Sequence, residues 1–204
     1  MTALTRPKQL ESTIFLIMVW KPFPAYCDHT NDGGGWTMIF KVVGGVSPPE
    51  VGQLCKSSSA QSENVTDTLD TTKNYPSHYK NRIVMNWQVF NPQEVRVVLY
   101  ENGNELISLK FNASGTNNMD WFSQVNLISS PWSDLKTATN NNKFDIIGRL
   151  LDRYFELSGP YTGCDSDTGW LVITNHPVCR GTIALPSPVS NTARRGHSHV
   201  MQIT

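Results

Sequence analysis

The chain has 204 residues, with 17 acidic and 17 basic side chains, so its formal net charge is zero. That balance argues against nucleic acid or an anionic membrane surface as the main partner. Charged residues make up only 17%, below the ~25% usual in soluble domains, and six tryptophans argue against disorder.

In chain order, Ile14–Trp20 is an apolar run too short to span a bilayer. It reads as a buried strand. The alternative is the core of a signal peptide behind Arg6 and Lys8, but no small-x-small cleavage site follows. Trp36–Val43 reads as a strand straight after Gly33-Gly34-Gly35. Residues 44–80 are rich in loop formers and show no helical period. The clearest signal is a hairpin. Val95, Val97 and Leu99 alternate along one arm and Ile107, Leu109 and Phe111 along the other. Asn102-Gly103 between them suits a type I′ turn. Period-two alternation predicts one buried face and one wet face.

Asp120–Ser130 and Ser133–Ala138 read as short helices, the second with Ser133 as N-cap. Strands resume at Phe144–Ile147, Arg153–Leu157, Trp170–Thr174 and Val200–Thr204. With no repeat and no linker, the chain is expected to form one domain over residues 1–204. Its class is β-rich α+β, with mostly antiparallel sheet, short helices and long loops. The strand-like run at Val200–Thr204 leaves truncation at one or both ends open.

Four cysteines, Cys27, Cys55, Cys164 and Cys179, fit two disulfides with three alternative pairings. No CxxC is present, which disfavours a zinc ribbon. Cys164 and Cys179 would close a short loop, a link that contributes roughly 3 kcal/mol through the unfolded state. Sequons stand at Asn64-Val65-Thr66 and Asn112-Ala113-Ser114. Cysteines and sequons together predict a secreted, extracellular glycoprotein.

The segment Tyr26-Cys27-Asp28-His29-Thr30-Asn31-Asp32-Gly33-Gly34-Gly35-Trp36-Thr37 carries a wider signal. Three glycines permit backbone angles closed to other residues. Asp32 is placed to close an Asx-type turn ahead of them. Trp36 opens a strand and is expected to plug one end of the core. The segment resembles the YCD-x-x-x-DGGGWT signature of fibrinogen-related domains, shared with intelectins. Residues 144–180 are similar to a divergent branch of such proteins from marine invertebrates. The usual Gly-Trp-Trp-rich stretch is absent, and so is a cysteine upstream of Cys27. Cys27 is therefore expected either to pair with Cys55 or to stay free.

The resemblance implies a fibrinogen-like fold and an extracellular recognition role, lectin-like, with carbohydrate or a related ligand as partner. Innate recognition would be the setting. It also implies calcium near a cysteine loop. Asp165 and Asp167, flanking Ser166 beside Cys164, supply the hard oxygen donors calcium prefers. The alternative for them is two turn aspartates. Asp28 and Asp32 read better as turn formers than as metal ligands. His197 and His199 lie two apart, on one face if on a strand, and are candidate ligand contacts. Tyr161 and Trp170 beside the acidic loop are candidate stacking residues. Neither GxSxG nor HExxH occurs, so the chain is not expected to be an enzyme. A structural or adhesive protein-binding module of a larger matrix protein is the alternative function. No membrane span is expected, and the oligomeric state is left open.

Overall fold

A computed structural model describes residues 25–43, 70, 78–101, 103–133, 135–137, 143–146, 153–158, 168–174, 182–183 and 200–203. The predicted Ile14–Trp20 strand lies outside them. Antiparallel pairing dominates, with short helical turns, so the arrangement is mixed α+β.

The hairpin forms in the expected register, but the face expected to be wet is covered along β5, where Arg96, Val98 and Tyr100 are buried. Strands β5 (Glu94–Glu101) and β6 (Asn104–Asn112) place Val95 opposite Phe111, Val97 opposite Leu109 and Leu99 opposite Ile107. Pairing of Glu101 with Asn104 leaves a two-residue loop. In it Gly103 takes φ 79°, the positive angle this turn requires. A register shift follows Leu99, so that Tyr100 faces Glu105 instead of Leu106. This bulge has a chemical result. Leu106 stays with the apolar core, and Glu105 is handed to the opposite face beside Tyr100.

Around the hairpin a six-stranded sheet assembles. Its other strands are β3 (Phe40–Val43), β4 (Tyr79–Lys80), β7 (Leu127–Ser129) and β12 (Val200–Ile203), in the order β4-β3-β12-β5-β6-β7. The last described strand is thus central, antiparallel to β3 on one side and to β5 on the other. The expected strand over Trp36–Val43 is split in two. β2 (Trp36–Thr37) pairs with β1 (Cys27–Asp28), and β3 follows after Met38 and Ile39. The break has a cause: the Met38 N–H donates to Tyr26 O, and Ile39 O accepts from the Asn81 N–H.

One face of the sheet is the core. Val95, Val97, Leu99, Ile107, Leu109 and Phe111 pack with Trp87, Trp121, Phe122 and Leu135. Phe111 is central: its ring lies 5.4 Å from Trp121 and 5.2 Å from Phe122, and Trp121 stacks on Trp87 at 6.2 Å. Burial of side chains this size contributes roughly 1.5–3 kcal/mol each.

Trp87 comes from a segment the sequence reading did not assign. A 3-10 helix, Arg82–Asn86, is capped by Asn81, whose Oδ1 accepts from the Ile83 N–H at 2.9 Å. It runs into one turn of α-helix, α1 (Trp87–Phe90), closed by Asn91 in the left-handed region with its N–H on Trp87 O. Pro92 follows, as expected just after a helix end.

The two helices expected downstream are corrected. Residues 118–126 are turns and bends leading into β7. Side chains there take the bonds a helix would make along its backbone. Asn117 Oδ1 accepts from the Met119 and Asp120 N–H groups, and Asn126 Nδ2 donates to Asp120 O and Trp121 O. Ser133 and residues 135–137 also form a bend and turns, with Leu135 buried and its carbonyl accepting from Gln124 Nε2.

A second sheet has four strands: β8 (Lys143–Asp145), β9 (Arg153–Ser158), β10 (Thr168–Thr174) and β11 (Thr182–Ile183), in the order β11-β10-β9-β8. Neighbours are antiparallel except β10 and β11, which are parallel.

Candidate functional site

The glycine-rich segment lies against the second, polar face of β5 and β6. Asp28 organises it. Its Oδ1 accepts from the Thr30 N–H, the Thr30 hydroxyl and the Asn31 N–H, and its Oδ2 accepts from Asn31 Nδ2 at 2.6 Å. Burial pushes this carboxyl up, but the four hydrogen bonds outweigh it and hold Asp28 below the usual carboxylate range. The Asx-type turn assigned to Asp32 is therefore made by Asp28. Every Asp28 oxygen faces a donor, an environment built for a carboxylate and unsuited to a cation.

Asp32 instead sits at φ 49° and reaches the sheet. Its Oδ2 is 2.6 Å from Lys110 Nζ and 3.8 Å from Arg96 Nε. Trp36 does not plug the apolar core. Its indole N–H donates to Asn31 O, and its ring meets the Arg96 guanidinium at 5.5 Å and the Lys110 ammonium at 5.6 Å. Such contacts are worth roughly 0.5–2 kcal/mol, depending on desolvation. Arg96 is buried, and its Nη2 donates to both Glu105 oxygens at 3.0 and 2.8 Å. Tyr100 donates to the same carboxylate. Burial first, and then the Glu105 charge, push the Tyr100 phenol up. Gly34 explains the glycine run: a Cβ there would lie 2.5 Å from His29 O. The loop is thus a clasp that fixes its own backbone and pins it to the charged face of the hairpin.

Cys27 beside it is a half-buried free thiol, 4.0 Å from Thr37 Oγ1. Of the two expectations for Cys27, pairing with Cys55 or staying free, the structure has the second; Cys55 itself lies outside the described residues.

Next to the clasp, β3 and β4 bury further ionisable groups. Lys41 is fully buried, and burial brings its ammonium down to about 8, opposed by the charge of Asp70. His78 Nδ1 accepts from the Val43 N–H at 3.1 Å, which requires that nitrogen to be unprotonated. Burial lowers His78. Tyr79 is raised to about 12, chiefly by burial.

Of the ligand and metal candidates, Trp170 lies among the described residues, within β10. Ser158, the last residue of β9, pairs toward the start of β10, opposite Gly169. Thr168 opens β10 and is matched to Thr182, which opens β11. Tyr161 follows Ser158 by three residues. Cys164, Asp165 and Asp167 immediately precede β10, Trp170 is within it, and Cys179 precedes β11 by three residues. The register therefore sets the end of β9 beside the starts of β10 and β11. Tyr161, Cys164, Asp165, Asp167 and Cys179 themselves lie outside the described residues, as does Asn64. His197 and His199 also lie outside them. They precede β12, which belongs to the other sheet, so no described pairing joins them to this end. Asn112, in contrast, is described and exposed at the end of β6.

Among the described residues, no helix is long and apolar enough to cross a membrane. No protein-family model, no curated protein and no solved structure matches the chain.

Proposed function

We propose that this protein is a fibrinogen-related, extracellular recognition module that binds carbohydrate or a related hydroxyl-bearing ligand, and that it is not an enzyme. The recognition site in this reading is the end of the four-stranded sheet where β9 stops and β10 and β11 start. The observation that carries it is the register just described. Independent strand pairings set the end of β9 beside the starts of β10 and β11, and Tyr161, Asp165 and Asp167 lie in sequence between β9 and β10. A Cys164–Cys179 bridge is part of this reading, as the staple of that end.

Asp165 and Asp167, with the Ser166 hydroxyl, form a hard-oxygen donor set that suits calcium. Calcium, when bound, would supply a centre on which paired sugar hydroxyls complete the coordination. Trp170 or Tyr161 would then stack on the apolar face of a sugar ring. The glycine-rich clasp plays a scaffold role in this reading, because its carboxylates are already engaged by donors and cations.

The test is binding of oxidised, folded protein to an array of glycans, with calcium and with a chelator. Calcium-dependent binding to a defined glycan class is the expected result. Failure in both conditions, by protein that melts cooperatively, rejects the reading in favour of an adhesive protein-binding module.

A further inference from the structure

We infer that Asn112 is an N-glycan acceptor, and that its glycan covers the apolar edge of the six-stranded sheet. The inference rests on the secretory part of the reading above, not on its ligand.

Asn112-Ala113-Ser114 has the required acceptor pattern, and the structure adds three things a sequon alone does not carry. The first is exposure: Asn112 and Ser114 are both exposed, while Ala113 between them is buried and anchors the turn. The second is orientation. Asn112 Oδ1 accepts from the Ser114 N–H at 3.0 Å, so the amide oxygen is held by the chain. Among the described residues, no group accepts from Asn112 Nδ2. The nucleophilic nitrogen is therefore the free end of the side chain. In the transfer, Nδ2 forms a bond to C1 of an oligosaccharide carried on a lipid pyrophosphate. The C1–O bond to the pyrophosphate breaks, and the amide loses one proton as the lipid pyrophosphate leaves.

The third is location. Asn112 ends β6 beside β7, with its backbone N–H donating to Asn126 O at 2.8 Å. β7 closes the sheet and, among the described residues, has a neighbour on one side only. Here the surface turns apolar: Val125 is 88% and Ile128 44% exposed. An open strand edge that carries Ile128 and follows the turn bearing Val125 invites pairing with another chain. A bulky hydrated glycan on the adjoining strand would block that approach.

The test uses the full chain, preceded by a signal sequence and translated into endoplasmic-reticulum microsomes. An Asn64→Gln background removes the other sequon. A gel shift that peptide:N-glycosidase reverses, leaving aspartate at position 112 by mass spectrometry, is the expected result. Ser114→Thr should keep the shift and Ser114→Ala should abolish it. Ser114→Ala retains the turn, because the bond to Asn112 comes from the backbone N–H. Absence of any shift overturns the assignment. The supplied signal makes the readout independent of the native route, and no step reads ligand binding, so failure on a glycan array leaves the result standing.

The covering role is read by light scattering. Glycan-free Ser114→Ala protein should associate with rising concentration, the glycosylated protein should stay a single species, and Val125→Lys with Ile128→Lys should restore that behaviour without the glycan. Equal behaviour of the glycosylated and glycan-free proteins overturns the covering role.

Discussion

The two faces of the β5–β6 hairpin are built from alternate residues of the same strands, yet they are held by different physics. One face presents Val95, Val97, Leu99, Ile107, Leu109 and Phe111 to an aromatic cluster. The other presents Arg96, Tyr100, Glu105 and Lys110 to a glycine-rich clasp. The apolar face is stabilised by the area it removes from water, which is non-directional. The polar face gains little net energy, because its charges are partly desolvated to form the network. What it gains is position: its bonds are directional and fix where the loop lies. Stability should therefore be concentrated on the first face, and loop geometry on the second.

Perturbations of decreasing size can break that division. Phe111→Ala removes the centre of the aromatic cluster and should cost about 3–5 kcal/mol, read from the shift in urea midpoint at constant slope. A loss below about 1 kcal/mol, the level of a surface change, would mean that Phe111 is not central to the core. Gly34→Ala attacks the clasp alone. With φ at +77° and a Cβ 2.5 Å from His29 O, it should cost about 1–3 kcal/mol in backbone strain, before the clash is counted. The indole emission of Trp36 should change as well, since the ring would leave Arg96 and Lys110.

Smaller still is the Arg96–Glu105 pair. A double-mutant cycle with Arg96→Met and Glu105→Gln should return a coupling of about 1 kcal/mol. A value near that of the Phe111 change would erase the difference between the faces.

The gentlest perturbation is pH. His78 has a folded value below its ordinary one, so above pH 6.5 both states are neutral there and its contribution is complete. As pH falls below 6.5 the unfolded chain takes the proton first, and stability drops until the folded value is passed. His78→Asn should flatten that slope. At the other end, Lys41 is near 8 when folded and about 10.5 when unfolded. Between those values the unfolded chain holds more protons, so stability rises with pH. Above 10 the trend should turn over, because Tyr79 is raised to about 12 and its unfolded form ionises first. Lys41→Met should remove the rise and leave the turnover, as measured by melting at stepped pH.

The hairpin was legible in the sequence because side-chain alternation and an Asn-Gly turn are local signals. Its bulge was not, since nothing in Glu105-Leu106 says which of the two will face Tyr100. The strand at the end of the chain was readable as a strand, but its central place between β3 and β5 depends on pairings far apart in sequence. The helical segment from Arg82 to Phe90 did carry signals, an Asn81 cap and an Asn91-Pro92 stop, but a single α-turn shows no period to find. The reverse error occurred over Asp120–Ser130. There Asn117 and Asn126 take up backbone groups, and a helix-compatible sequence folds as turns. In the glycine-rich segment the residue types were legible and their roles were not. Asp28 makes the turn, and Asp32 and Trp36 meet charges on strands some sixty residues and more away. For the proposed binding end, the residue types came from sequence, and strand register contributes the adjacency of the end of β9 to the starts of β10 and β11.

The central claim is that the clasp is scaffold and the end of the four-stranded sheet is the recognition site. The most direct measurement compares calcium-dependent glycan binding of Asp32→Asn and Asp165→Asn, each with its melting curve. The account predicts that Asp165→Asn loses binding with melting unchanged, and that Asp32→Asn keeps binding but melts at lower temperature. Binding lost in Asp32→Asn and retained in Asp165→Asn would contradict it.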